Sequence, residues 1–322
     1  MAMLSRVADS LYWMSRYLER AEHSARLLDV TLHQLIDVDA SLAQQRWLRL
    51  WEALHYDDAG RGSHEPQPVI VRMTADITYA DSIMSTLTAA RENARQVREH
   101  ISSEMWEHIN RLYLEARTTC HTQQWRTAPS QFYGFIKSGS HLFQGITDAT
   151  MRHGEGWDYI QIGRAVERTS NTATVLHAHM NTLQAGWRRD RPQHAEWIGL
   201  LKMCSAFEAY CKVHTPEVTP QRLCDFLLFD EEFPRSVRFC ADTIHAAITR
   251  NAQRDRVSSI QPPQRASGQF KASLEYGSMD EQLTQLGSFI QTVRNGCSTI
   301  DTAIHQTHIS YAVETTILNE RA

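Results

Sequence analysis

The chain has 322 residues, with 33 lysines and arginines against 37 aspartates and glutamates and a formal net charge of −4. Its 42% apolar and 9% aromatic content suffices for a large core and excludes wholesale disorder, while the balanced charge gives no field for a phosphate backbone, so nucleic acid is not an expected partner. No run reaches the roughly 18 uncharged apolar residues of a membrane helix, and Arg6, Asp9 and Arg16 break the N-terminal stretch where a secretory signal would be apolar, so the expectation is a soluble, cytoplasmic protein.

In chain order, Leu4, Val7, Leu11, Met14, Leu18, Ala21, Ala25 and Leu28 recur at steps of three and four and predict a long first helix. Similar stripes run over 79–124, 130–150, 157–185, 193–212, 235–250 and 279–306. Gly, Pro and polar content predicts loops over 57–69, 186–192, 213–220 and 251–268, with DRVSSIQPPQRASGQ in the last as the expected disordered segment. The nine prolines leave 1–65, 69–128, 130–191 and 264–322 free of proline, with room for several long helices. No Asn-Gly or Asp-Gly turn joins two alternating apolar runs. The predicted fold is all-α. Six cysteines without a CxxC pair, some with apolar neighbours, are expected to be buried thiols rather than disulfides.

RYLERAEHSARLL at 16–28 aligns with RAVERTSNTATVL at 164–176, so Arg16, Glu19 and Arg20 match Arg164, Glu167 and Arg168 at an offset of 148. A second match, at offset 154, sets Asp76, Ser82 and Ile83 against Asp230, Ser236 and Val237. The expectation is a helical bundle of two duplicated halves, 1–150 and 151–322, packed as one unit about a pseudo-twofold axis. On the first helix Arg16, Arg20 and His23 fall within about 60° of one another, yet Trp13, Tyr17 and Leu27 lie on or beside that face, so the helix reads as enclosed. Like charges four apart in such a place need carboxylates or an anion between them. Glu19 can reach Arg16 within its helix or another helix altogether. Two readings follow: a buried salt-bridge network of Glu19, Arg20, Glu167 and Arg168 that sets register, or an anion pocket whose arginines grip a carboxylate or phosphate.

Other constellations are weaker. Glu19/Glu22/His23 and Glu104/Glu107/His108 repeat E-x-x-E-H, but each His adjoins the second Glu and the faces diverge from a carboxylate-bridged metal site; His305 and His308 have no acidic companion, and no metal is expected. Phosphate-loop, dinucleotide, nucleophile-elbow and zinc-protease motifs are absent, and no cofactor is expected. In 90–110, Arg91/Arg95 and Arg95/Glu99 fit a polar helix face or a basic ridge for an acidic partner. In FLLFDEEFPRSVRFC, Pro234 fits a helix's first turn, and Arg235 and Ser236 place donors at its start.

With LSRVADSLYWMSRYLERAEHSARLLDV at 4–30, the Arg/Glu-dense 90–110, GWDYIQIGRAVERTS at 156–170 and FLLFDEEFPRSV at 226–237, the chain resembles the Alpha-E family, a helical domain with a Glu-Arg motif. It departs from equivalence of the two copies where Thr169-Ser170 stands in place of Ala-Glu. The resemblance implies a bacterial protein encoded beside, or fused to, an atypical ATP-grasp ligase, with transglutaminase-like and sometimes proteasome-like neighbours. It thereby implies an accessory role in ATP-dependent peptide or amide-bond formation, as a binding partner or substrate-presenting subunit. Arg16, Arg20, Arg164, Arg168, Arg91, Arg95 and Arg235 are the candidate anion- or partner-binding residues. The alternative is an enzyme of the same pathway in which Glu19 or Glu167 is the acid/base and Arg20 or Arg168 clamps an anion.

Overall fold

The computed structural model describes residues 3–36, 38–54, 66–187, 194–214, 217–254, 259–276 and 286–309. Among them are fourteen α-helices and no strand. In order they are α1 (Ser5–Gln34), α2 (Ala40–Ala53), α3 (Pro66–Ala75), α4 (Ile83–Gln96), α5 (Ser103–His121), α6 (Pro129–Thr150) and α7 (Glu155–Ala178). There follow α8 (Met180–Trp187), α9 (His194–Met203), α10 (Phe207–Val213), α11 (Pro220–Phe229), α12 (Val237–Arg254), α13 (Pro262–Glu275) and α14 (Leu286–Ile304).

Helices α1 and α7 lie side by side at the centre. Helix α1 also packs on α4 and α6, and α7 on α12 and α14. In turn α5 bridges α4 and α6, while α13 bridges α12 and α14. Enclosure on all sides explains why α1 buries Leu11, Met14, Leu18, Ala21, Ala25 and Leu28, with Glu22 among them, and, on its other faces, Tyr12, Glu19 and His23. The two central backbones meet at Gly163: a Cβ there would lie 2.4 Å from the Tyr12 carbonyl oxygen and 2.4 Å from Ser15 Oγ. Only a residue without a side chain lets the helices come this close.

Capping residues set the boundaries that periodicity alone blurred. The 79–124 stripe is two helices, because Ser102 Oγ accepts from Met105 N at 3.1 Å and starts α5 afresh. The 193–212 stripe breaks at Ser205, which adopts a left-handed φ of 55° between α9 and α10. All four predicted loops overlap helices, 186–192 and 213–220 by only a residue or two at their ends and the other two by more. Helix α3 begins at Pro66, and α13 begins at Pro262 inside the segment expected to be disordered. In both, proline occupies the first helical turn, where it lacks only a hydrogen bond no residue there would make. Likewise α12 continues to Arg254, while 57–65, 188–192, 215–216 and 255–258 of the predicted loops fall outside the described residues. The cysteines are free, with Cys204, Cys224, Cys240 and Cys297 buried.

Candidate functional site

Just past the Gly163 approach, the two R-x-x-E-R turns face each other and exchange ion pairs. Glu167 on α7 accepts from Arg16 Nε at 2.9 Å and Arg20 Nε at 2.7 Å, both on α1. Glu19 on α1 accepts in return from Arg168 Nε on α7 at 2.9 Å. The intrahelical Arg16–Glu19 contact that the spacing allows is not made; each glutamate pairs across the helix interface. Glu19 and Glu167 are 1% and 3% exposed, so water contributes almost nothing to their solvation.

Each half of the exchange then completes itself differently. On the Glu167 side, Arg16 Nη1 also donates to Asp301 of α14 at 2.7 Å, and Arg20 Nη1 to Asp81, just before α4, at 2.8 Å. Tyr12 donates to Asp301 as well. On the Glu19 side the extra partner is a cation: Arg235, just before α12, reaches Glu19 at 2.8 Å and Glu22 at 3.0 Å. Gln144 of α6 donates to Glu19 at 3.0 Å, and Arg26 pairs with Glu22. Positions 81 and 235, which the 154-residue offset brings into register, thus carry opposite charges.

Burial alone would raise the carboxyl groups, but the arginines outweigh it. Arg168 and Arg235 hold Glu19 below the usual carboxylate range, Arg16 and Arg20 do the same for Glu167, and Arg235 with His141 and Arg26 holds Glu22 well below it. These glutamates stay ionised at neutral pH, which suits an ion-pair network and disfavours proton donation. A cleft of about 210 Å³ adjoins Glu167, Arg16, Arg20 and His23.

The remaining sequence candidates separate. Arg235 does not sit at a helix end awaiting an anion; it is consumed by Glu19 and Glu22, and Ser236 Oγ caps α12 by accepting from Phe239 N at 3.0 Å. Pro234 precedes that helix rather than entering it, because the Ser236 cap starts α12 only at Val237. Arg91 and Arg95 lie on α4 and join no part of the exchange. Arg91 donates to Asn110 at 2.7 Å and to Glu92, and Arg95 pairs with Glu92 at 2.8 Å rather than with Glu99. Arg164, the counterpart of Arg16, pairs with no carboxylate among the described residues and donates only to Gln161 Oε1. No His/Cys/Asp/Glu group there could hold a metal ion. Sequence reasoning missed Asp81, Asp301 and Gln144, and two satellite clusters on buried carboxylates: Glu196 with Arg46 and Arg49, and Asp158 with the more exposed Arg250 and Arg254. Only Asp81 left a signal, its register with Arg235.

A family model described as an alpha-helical domain with a conserved ER motif matches residues 3–309, with both Glu-Arg pairs inside. The chain belongs to the Alpha-E family. Uncharacterized proteins of Mycobacterium bovis and of two strains of Mycobacterium tuberculosis are 24% identical to it over 266 residues, covering 76% of this chain. The match spans 29% of those relatives, which are much longer proteins. No solved structure matches. The ER motif of this Alpha-E chain is therefore a crossed pair of buried glutamates, Glu167 held by two arginines of α1 and Glu19 by Arg168 of α7 together with Arg235. No helix among the described residues is long and apolar enough to cross a membrane.

Two buried histidines, His23 on α1 and His179 at the end of α7, together with the lowered glutamates make folding acid-sensitive in two steps. Burial pushes His23 and His179 down to about 4, so both are neutral in the folded chain. Unfolded, they take up a proton near pH 6.5 (about), so between about 6.5 and 4 the unfolded state binds more protons and stability falls as pH falls. The lowered glutamates act in the same direction at lower pH: their contribution is complete above the unfolded value of about 4.5 and is lost as pH drops through the folded values. Urea midpoints measured at stepped pH are expected to be level above about pH 7 and to decline from about 6.5 downward. A His23→Gln/His179→Gln chain flattens the upper part of that decline. A wild-type midpoint constant down to about pH 4.5 would contradict the neutral, buried histidines.

Proposed function

We propose that the chain is a helical accessory protein of the bacterial cytoplasm, acting with an ATP-grasp-type ligase in ATP-dependent peptide or amide-bond formation as binding partner or substrate-presenting subunit. The observation that carries the accessory role is the state of Glu19 and Glu167. Each is buried, ionised and gripped by two arginines, an arrangement that fixes helix register rather than moving protons. Longer mycobacterial relatives, of which this domain matches 29%, support a domain that works alongside others. The ligase itself, and a transglutaminase-like protein as a further partner, rest on what the family resemblance implies.

We also propose that 1–150 and 151–322 are copies of one unit about a pseudo-twofold between α1 and α7. In support, α4–α5–α6 surround α1 as α12–α13–α14 surround α7, and the crossed Arg20–Glu167 and Arg168–Glu19 pairs exchange under that rotation.

The test is ATP consumption by an ATP-grasp-type ligase encoded beside this chain's gene, measured with and without the chain after coexpression. The expected result is copurification and a several-fold rise in ATP turnover. A ligase that turns over ATP identically in its absence and never copurifies would overturn the reading.

A further inference from the structure

Of the four motif arginines, three are saturated. Arg16 is shared by Glu167 and Asp301, Arg20 by Glu167 and Asp81, and Arg168 by Glu19, Gln144 and the Pro234 carbonyl. Arg164 differs. Its carboxylate by analogy with Arg16 would be Glu19, but Arg168 and Arg235 already occupy that group. The guanidinium is left with one amide oxygen, and its remaining donors have no acceptor among the described residues. The half-buried guanidinium is thus short of partners within the chain, and its free donors open onto accessible space rather than into packed protein.

It also borders space. A cavity of about 420 Å³ lies between α7 and α12, lined by Arg164, Gln161, Arg168, Trp157, Thr243 and Arg250 among others. Its lining includes one carboxylate, Asp242, and that is paired with Lys271 at 2.8 Å. Arg250 is held by Asp158 and lies over the Trp157 ring. Gln161, 3% exposed, turns its oxygen to Arg164, and its Nε2 is buried without an acceptor. The cavity therefore carries an excess of positive charge and of unused donors, whereas the smaller cleft beside Glu167 has its arginines neutralised by three carboxylates. Burial pushes Arg164 down only to about 10, which leaves it cationic at neutral pH.

We propose that this cavity binds a small oxyanion, a carboxylate or phosphate group, with Arg164 as the gripping residue. The guanidinium fork suits either group, since both offer paired oxygens to parallel N–H donors. The cavity can hold a ligand larger than the anion alone, with Trp157 and Phe239 as apolar walls. This inference does not depend on the ligase reading, because the binding is to the chain alone.

The purified full chain is titrated calorimetrically with inorganic phosphate and, separately, with succinate, at constant ionic strength. At least one is expected to bind, phosphate alone indicating a phosphorylated ligand and succinate alone a carboxylate. Arg164→Gln weakens that binding about tenfold or more, and Arg95→Gln leaves it unchanged. Ala246→Trp, which fills the cavity from α12 while retaining Arg164, abolishes it. Without ligand, Arg164→Gln melts no lower than wild type, since no ion pair to a carboxylate is lost with the charge. Binding of neither anion, or equal binding by wild type and Arg164→Gln, would overturn the site; so would a lower melting point of the ligand-free variant, which would mean that Arg164 already has a partner.

Discussion

Glu19→Gln is expected to lower the free energy of unfolding by about 3–5 kcal/mol, and Glu167→Gln by less, about 2–3 kcal/mol. Both changes keep the side-chain shape and remove one charge. The difference lies in what remains. Without Glu19, Arg168 keeps only Gln144 and a carbonyl, and Arg235 keeps only Glu22, which it shares with Arg26; both guanidinium groups are about nine-tenths buried. Without Glu167, Arg16 still has Asp301 and Arg20 still has Asp81, and the Arg20–Asp81 pair reaches solvent. Urea unfolding of both variants beside wild type decides it, with Arg95→Gln as a surface control expected within about 0.5 kcal/mol. Equal losses, or a larger one for Glu167→Gln, would mean that the two sides of the exchange are energetically alike despite their different neighbours. A Glu19→Gln/Arg168→Gln chain should recover part of the loss, because it removes the stranded charge along with its partner.

That asymmetry also marks the limit of what the sequence conveys. The helical fold was legible because the apolar stripes and the spacing of prolines are local signals, and the first stripe became α1. The motif residues were legible for a different reason: two arginines four apart on an enclosed helix demand counter-charges, and a second copy at offset 148 offered them. What could not be read was which carboxylate each arginine takes. Asp301 comes from a helix 285 residues away, and nothing at Arg16 announces it. Register between helices is a tertiary property, so Arg95 chose Glu92 over Glu99 and Arg235 left its own helix end for Glu19. The solitude of Arg164 was hidden for the same cause: in sequence it is indistinguishable from Arg16. Loop assignments from composition failed at Pro66 and Pro262 because proline, a breaker inside a helix, is favoured in its first turn.

The register itself depends on one small residue. Gly163→Ala is expected to destabilise the chain by about 3 kcal/mol, although alanine is the better helix former by roughly 1 kcal/mol. The added methyl would sit 2.4 Å from both the Tyr12 carbonyl oxygen and Ser15 Oγ. The serine can rotate away, but the carbonyl belongs to the α1 backbone, so the helices themselves must part. Parting them lengthens the contacts one turn on, where Arg16 and Arg20 now reach Glu167 at 2.9 and 2.7 Å. Packing and ion pairing are thus lost together. Gly134→Ala supplies the contrast: it also lies inside a helix, but nothing comes within 4 Å of its added Cβ, so the helix preference acts alone and the chain should gain up to about 1 kcal/mol. Thermal and urea unfolding of the two variants should therefore move in opposite directions. If Gly163→Ala is neutral or stabilising, α1 and α7 are not in the close contact that brings the crossed glutamates within reach of their arginines.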